Sequence, residues 1–588
     1  MVYDRQKHWQ FLEDELKAQT EAYKQKLGTS AKYLLLDRGE VFVAQFLKFH
    51  DGEMILKFSN NRNLPRKGEY LYCFIVPKEL RDYRNWKNKT YGDLIKAKTN
   101  YSEIVCIWQA PTDDKAFSIA GFRGVELEFA THISDASNII LILGPNKPPF
   151  EYIANLQKLV LNRSNEAINQ VLDQDFQSSN WPSILIDQKK KISNFILSQL
   201  ALQDTLIING PPGTGKTYLI SEICKKLCQD GKSVLVMSLT NRALIEIAAK
   251  PPIQNLLHEH RICKTKVTVD EAIEANGLQE IKKIYPVPGK LILSTFFTAS
   301  GEIPVFSSSS KFDYVIVDEA SQALLATFGL AKLLGNKNIW IGDTKQLSPI
   351  VLLNNDKIAR KNYRPLIDGL KSLSNIDSLP NFQLVLTYRL TKRAANYTGI
   401  FYKNSLISKS KEGIRLTYSE MSIYYGKLFN SRGGPTLIKT EMKVGSFSPA
   451  NALRLIIEII ASLLEVNEKL HISVLTCFVK TTKALQKAIY QTVGYRKNLL
   501  VETVARVQGL TTDVTIFLIP NTSYHRSLES RLFNVATSRS KRHTLVIVDN
   551  DIFTYSQISN DVKQYLELLN NDFSYSINPS IGHKELGA

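Results

Sequence analysis

Apolar positions fall into three successive rhythms along the chain. Residues 4–27 are mostly polar but place Trp9, Phe11, Leu12, Leu16 and Tyr23 at helical spacing, which predicts one long exposed helix. Between residues 31 and 144 the rhythm shortens. Segments 40–49, 53–58, 69–76, 102–108, 125–129 and 138–143 are rich in β-branched and aromatic residues and are separated by Gly, Asp, Asn and Pro, predicting a small all-β domain of barrel type. Helical spacing returns over 151–172, so the β domain is expected between two helices running side by side as a stalk. From 205 to 549 short apolar strands alternate with longer helical stretches, the pattern of parallel α/β units.

Charge narrows the choice of partner. Lys and Arg number 74 against 56 Asp and Glu, a formal charge of +18 in a chain that is 44% hydrophobic and 22% charged. Such a chain folds, unlike a disordered polycation, and its 588 residues suffice for several domains of roughly 100–200 residues each. The positive excess makes a polyanion the expected partner, through counterion release from phosphates, with an anionic membrane surface as the competing reading. Two features weigh against the membrane. Residues 1–9 carry Asp4, Arg5, Lys7 and His8 ahead of any apolar stretch, unlike a secretory signal. The most apolar later stretch, 452–466, includes Arg454 and Glu458 and is too short to span a bilayer. The cysteines (Cys73, Cys106, Cys224, Cys228, Cys263 and Cys477) show neither CxxC nor His at metal-ligand spacing, so reduced thiols in a cytoplasmic protein are expected, with no zinc finger or iron-sulfur cluster.

The most specific chemistry follows the apolar strand at 205–208. Gly210-Pro211-Pro212-Gly213-Thr214-Gly215-Lys216-Thr217 fits GxxxxGK followed by Ser or Thr, between a strand and an apolar helix as that motif requires. Its glycines let backbone N–H groups turn inward around a phosphate, and the next helix adds its positive N-terminus. Lys216 supplies a charge to the β- and γ-phosphates and Thr217 a hydroxyl to Mg²⁺. A second apolar strand ends in Asp318-Glu319, placing one acid to hold Mg²⁺ and one to polarise the attacking water. Together these motifs imply a nucleoside triphosphatase that uses Mg²⁺; the choice of ATP follows only from the resemblance below.

Further motifs resemble a known family. Asp318-Glu319-Ala320-Ser321-Gln322-Ala323 resembles motif II of superfamily 1 helicases, in particular their Upf-like branch, and Gly342-Asp343-Thr344-Lys345-Gln346-Leu347-Ser348-Pro349 resembles that branch's motif III. The resemblance implies that Gln346 senses the γ-phosphate and couples it to the bound strand. Thr387-Tyr388-Arg389 is similar to the next motif, implying that Tyr388 stacks on the base and Arg389 meets the γ-phosphate. Residues 531–541 resemble motif VI, with Arg539 as arginine finger, and Gln188 matches a glutamine that reads the adenine edge. An arginine from a second domain completes the charge around the transferred phosphoryl only when the cleft closes, so hydrolysis would govern domain separation. The implied fold is α/β: two tandem RecA-like parallel-sheet domains (181–375, with a short insertion at 251–289, and 376–550) preceded by a small β-barrel (31–150) on stalk helices (1–30 and 151–180). A C-terminal helix and tail occupy 551–588.

For the polynucleotide, Ser238, Thr240 and Asn241 lie in a stretch similar to motif Ia, and Thr295 follows a strand where the family has a backbone-binding threonine. Short hydroxyl and amide side chains there can grip phosphates, although ordinary helix N-caps look the same in sequence. Motif V keeps Thr503, Gln508 and Gly509 but has Ala505 where an aspartate is usual and Thr511 at the glutamate position. The basic stretch 78–98, with Tyr83, Trp86 and Tyr91 interleaved, reads equally as a base-stacking surface or as a solvated face around core aromatics. The resemblance implies an ATP-dependent translocase or helicase moving 5′ to 3′ on single-stranded nucleic acid. DNA is favoured over RNA because the long regulatory domains of the RNA-decay relatives are not seen. The alternative, kept open by the altered motif V, is a nucleotide-controlled clamp that grips nucleic acid without processive unwinding.

Overall fold

The structure, a computed structural model, describes residues 4–59, 64–111, 117–134, 139–176, 184–186, 192–306, 311–410, 423–507 and 509–577. Strands β1 (Phe42–His50), β2 (Glu53–Ser59), β3 (Tyr70–Ile75), β4 (Asn100–Pro111), β5 (Phe117–Arg123) and β6 (Ile140–Pro145) close into an antiparallel barrel in the order β1-β2-β5-β4-β3-β6. Met54, Leu56, Phe122, Leu141 and Leu143 fill its interior. The strand expected at 125–129 is instead the approach to a helix, Leu127–Ser134, and the strand in that region is β5, just upstream. Residues 125–129 do alternate with period two, but Phe129, Ala130 and Ile133 reach the barrel core at helical spacing, and that packing decides. In the basic stretch Trp86 and Tyr91 are fully buried beside Phe74 and Leu94, so these two rings belong to the core.

The helix Arg5–Gly28 is not a free rod. Its first half lies on the nearer α/β domain, with Phe11 and Leu12 in one core with Leu156, Phe328 and Tyr363, and each such buried side chain stabilises by about 1.5–3 kcal/mol. Polar contacts fix its position: Arg5 donates to both carboxylate oxygens of Asp173 (2.6 and 2.8 Å), and Glu15 accepts from the backbone N–H groups of Leu352 (2.9 Å) and Leu353 (3.1 Å). The second stalk segment is broken into Phe150–Leu161 and Glu166–Leu172, because the Asn165 side chain accepts from Ile168 N–H and starts a new helix.

The first α/β domain holds a nine-stranded sheet. β7 (Ile184–Ile186), β8 (Thr205–Asn209), β9 (Val234–Ser238), β10 (Ile262–Thr265), β11 (Gln279–Ile281), β12 (Leu291–Thr295), β13 (Phe312–Val317), β14 (Gly335–Gly342) and β15 (Asn381–Leu384) take the order β11-β10-β12-β9-β13-β14-β8-β15-β7. Every described pairing in it is parallel. Both faces are covered, which is why its central strands read as unbroken apolar runs. Ile207, Leu235, Met237, Val315 and Val317 face one core, while Leu206, Ile208, Val234, Val236 and Ile316 face the other. Residues 251–289 do not stand apart as an insertion, since β10 and β11 extend the sheet edge and the helix Val269–Glu274 docks on the barrel, where Asp270 accepts from Gly124 N–H (2.9 Å).

After β15 the short pair β16 (Leu386–Thr387) and β17 (Ile407–Ser408) leads into a second core that begins at Leu390. Its sheet comprises β18 (Gly434–Thr440), β19 (Ile472–Thr476), β20 (Leu499–Thr503), β21 (Thr512–Ile519), β22 (Ser540–Asp549) and β23 (Ser574–Ser576), in the order β20-β19-β21-β22-β18-β23, again all parallel. The terminal helix Asn560–Asp572 thus leads into an edge strand of this sheet. Among the described residues no helix is long and apolar enough to cross a membrane.

Candidate nucleotide-binding cleft

In open parallel sheets the loops that leave the carboxyl ends of the strands gather into a crevice. Here β8, β13 and β14 are near neighbours, so the glycine-rich loop, Asp318-Glu319 and the loop from Gly342 to Gln346 come together at one edge. Gly213 sits at φ +74°, and a Cβ there would lie 2.4 Å from Arg389 Cβ, so only glycine fits. The segment leaving the first sheet is sewn onto this loop: Tyr388 N–H donates to the Gly213 carbonyl (2.8 Å) and Thr387 Oγ1 to the Pro212 carbonyl (2.9 Å). Thr214 Oγ1 donates to the Pro211 carbonyl (2.9 Å). Lys216 bends back over the loop, its ammonium donating to the Gly210 carbonyl and, at 3.5 Å, to that of Pro211. Thr217 follows in the first turn of the helix Lys216–Gln229.

Asp318 is buried, and burial pushes its carboxyl up to about 6. Glu319 takes a left-handed backbone conformation (φ 49°, ψ 36°), uncommon for a residue with a side chain and held here by the turn Ala320–Gln322. Burial, with repulsion from Asp318 and Glu246, pushes the Glu319 carboxyl up to about 8, and Gln322 Nε2 donates to it at 3.3 Å. A Cβ built on Gly509 would lie 3.9 Å from Glu319 Oε1, so the loop after β20 of the second sheet reaches the acid of the first. The hydroxyl of Thr217 and the carboxylate of Asp318 are hard oxygen donors of the kind Mg²⁺ takes, and the unfavourable burial of the Asp318 charge is what a divalent cation would relieve.

The opposite wall comes from the second domain. Arg539, 2% exposed, donates through Nε to the Val535 carbonyl (2.9 Å) and through its terminal nitrogen to Gln346 Oε1 (3.3 Å). Arg389 donates to the Ser538 carbonyl at 3.4 Å. Arg531 makes paired contacts of 3.1 Å to the Asp368 carboxylate and another to Ser348 Oγ. Three cleft cations are held below their usual range by burial: Arg389 to about 10, Arg539 to about 9 with Arg389 adding repulsion, and Lys216 in the same direction, although Asp343 and Asp318 oppose its shift. Three desolvated cations beside two desolvated acids suit a polyanion that brings a divalent cation with it.

The residues expected to grip a polynucleotide are placed unevenly. Thr240 and Thr295 are helix N-caps, each accepting at 3.2 Å, from Ala243 N–H and Thr298 N–H respectively. Ser238 is buried at the end of β9, Asn241 is exposed, and Thr503 is buried with its N–H and hydroxyl both on Glu502 Oε1 (2.7 and 3.1 Å). Tyr388 is 55% exposed. Gln188 and Gln508 lie outside the described residues. Tyr402, Asn534 and Asp368 cross between the two domains and were not singled out by sequence. Their partners are distant along the chain; no local pattern marks Tyr402 or Asp368, and the motif at 531–541 that contains Asn534 does not announce its contact with Lys345.

Two family models, each described as an AAA domain, match residues 194–351 and 370–551, one on either side of the cleft. DNA polymerase alpha-associated DNA helicase A of Schizosaccharomyces pombe is 25% identical over 464 residues, covering 66% of this chain and 67% of its own. The chain belongs to the superfamily 1 helicases, in their Upf-like branch. Among other members, the DNA replication ATP-dependent helicase/nuclease dna2 of the same yeast is 27% identical over 414 residues, covering 63% of this chain. The corresponding DNA2 of Saccharomyces cerevisiae is 31% identical over 180 residues, covering 30% of this chain. The match spans only 28% and 12% of the length of these two helicases.

Proposed function

We propose that the chain hydrolyses ATP in the cleft between its two parallel sheets and uses the cycle to move 5′ to 3′ along single-stranded nucleic acid, displacing a paired strand. The observation that carries this reading is the 3.3 Å contact of Arg539 with Gln346, which brings an arginine of the second domain to the loop beside Lys216 and Glu319. Lys216 holds the β- and γ-phosphates, which take its ammonium from the Gly210 and Pro211 carbonyls. Thr217 and Asp318 hold Mg²⁺, which neutralises phosphate charge when bound. Glu319, in its ionised form, accepts a proton from the attacking water, and Arg389 and Arg539 meet the charge developing on the transferred phosphoryl. Tyr388, exposed beside the loop, stacks on the base, and the sequence match alone assigns Gln188 to reading the adenine edge.

The strand runs over the carboxyl ends of both sheets, past Ser238, Thr240, Asn241 and Thr295 on one side and Thr503 and Gly509 on the other. With Thr240 and Thr295 occupied as caps, their backbone and neighbouring N–H groups make more of the phosphate grip than their hydroxyls do. DNA is the preferred polymer, a reading supported by relatives named as DNA helicases. Steady-state ATPase with single-stranded DNA or RNA of matched sequence tests this. Stimulation at least tenfold greater with DNA is expected, and Arg539→Ala should remove about 10³-fold or more of the stimulated rate. Equal stimulation by both polymers contradicts the DNA preference, and no stimulation by either contradicts the coupling.

A further inference from the structure

The contacts that join the two walls of the cleft form a closed ring of hydrogen bonds. Tyr402, buried in the second core at the end of the turn Ile400–Tyr402, donates its hydroxyl to Asp343 Oδ2 at 2.7 Å. Asn534 Nδ2 donates to the same hydroxyl at 2.8 Å and to the Lys345 carbonyl at 2.9 Å. Its Oδ1 is buried without a partner, so the donor side alone orients this amide. Asp343 Oδ2 also accepts from Gln346 Nε2 at 2.8 Å, and Gln346 Oε1 accepts from Arg539 at 3.3 Å. Arg539 Nε returns to Val535 at 2.9 Å, on the helix Ser530–Thr537 that carries Asn534.

One carboxylate oxygen therefore accepts a hydrogen bond from each domain, from Tyr402 of the second and Gln346 of the first. The phenol fixes the rotation of Asp343, and Asp343 in turn fixes which end of the Gln346 amide faces Arg539. We propose that Tyr402 and Asn534 are positioning residues that register Gln346 against Arg539, so that both reach the γ-phosphate together. The inference rests on the ATPase reading above. Parting of the domains breaks the Tyr402–Asp343, Asn534–Lys345 and Arg539–Gln346 bonds at once, which makes closure of the cleft an all-or-none step rather than a gradual one.

Tyr402→Phe keeps the ring in its core and removes only the hydroxyl. With saturating single-stranded DNA, kcat for ATP is expected to fall about tenfold while KM stays within about twofold, because the lost bond shapes the closed cleft and not the phosphate loop. The melting temperature should stay near that of the wild type. Asn534→Ala should give the same split between kcat and KM. The double variant should lose little more than the worse single one, since the pair acts as a unit. A Tyr402→Phe enzyme with wild-type kcat overturns the inference while leaving the function intact. So does a loss shared equally by KM and melting temperature, which marks a purely structural role. A wild type that hydrolyses no ATP overturns the function and this inference with it.

Discussion

Lys216→Ala is expected to lower kcat/KM for ATP by about 10³-fold or more, because it removes the one ammonium on the phosphate loop that neutralises charge in both ground and transition states. The loop itself should survive. Its shape is held by Thr214 on Pro211, Thr387 on Pro212 and Tyr388 on Gly213, none of which involves the lysine side chain. Burial already disfavours the charge on Lys216, so its removal costs the empty protein little and the nucleotide complex much. Steady-state ATPase and titration with a fluorescent ATP analogue separate the two effects. A variant that binds the analogue weakly and hydrolyses almost nothing agrees with this account; near-wild-type hydrolysis would falsify the role given to the loop.

The second large effect is expected at Glu319. Glu319→Gln should lower kcat by about 10²–10⁴-fold, the usual worth of a positioned general base, with ATP affinity nearly kept because the phosphates are held elsewhere. The same substitution has a consequence for stability whose sign follows from the raised carboxyl. In the folded protein Glu319 titrates at about 8 against 4.5 for the ordinary side chain, so between these values the folded state binds more protons than the unfolded one. Stability of the wild type therefore falls as pH rises through this window. Glutamine cannot ionise and escapes the loss. The melting temperature of the variant should rise relative to wild type from pH 5 to pH 8.5, as read by parallel thermal scans. A constant difference across that range contradicts the burial assigned to the acid.

Sequence made the phosphate loop and the acid pair legible because a short run of residues dictates each: glycines where backbone must turn, and charged residues at the end of an apolar strand. The parallel sheets were legible for a similar reason, since strands covered on both faces must be apolar along their centres, as residues 234–237 and 315–317 are. Strand β5 was not. Gly121 in its middle reads as a breaker, yet it is there because the Trp108 indole crosses it, and a Cβ would fall 2.1 Å from Trp108 Nε1. The stalk helix misled in the other direction, because its polar first half looks solvated until Arg5, Asp14 and Glu15 find their partners on residues 160–173 and 352–363. Motif residues such as Thr240 and Thr295 carry a further ambiguity: a hydroxyl at a strand end that caps the next helix is indistinguishable in sequence from one that binds phosphate. The ring was legible only in part: Asp343, Gln346, Asn534 and Arg539 lie in recognisable motifs, but Tyr402 does not, and the bonds from Tyr402 to Asp343, Asn534 to Lys345 and Arg539 to Gln346 join residues far apart in sequence.

The central claim is that closure of this cleft around ATP drives motion along a strand, and strand displacement from a tailed duplex tests it most directly. Wild type with ATP should release the shorter strand from a DNA duplex bearing a 5′ single-stranded tail, should leave a 3′-tailed duplex intact, and should lose the activity in Lys216→Ala. ATP hydrolysis stimulated by the strand with no displacement from any tailed duplex would contradict the claim and identify a nucleotide-controlled clamp.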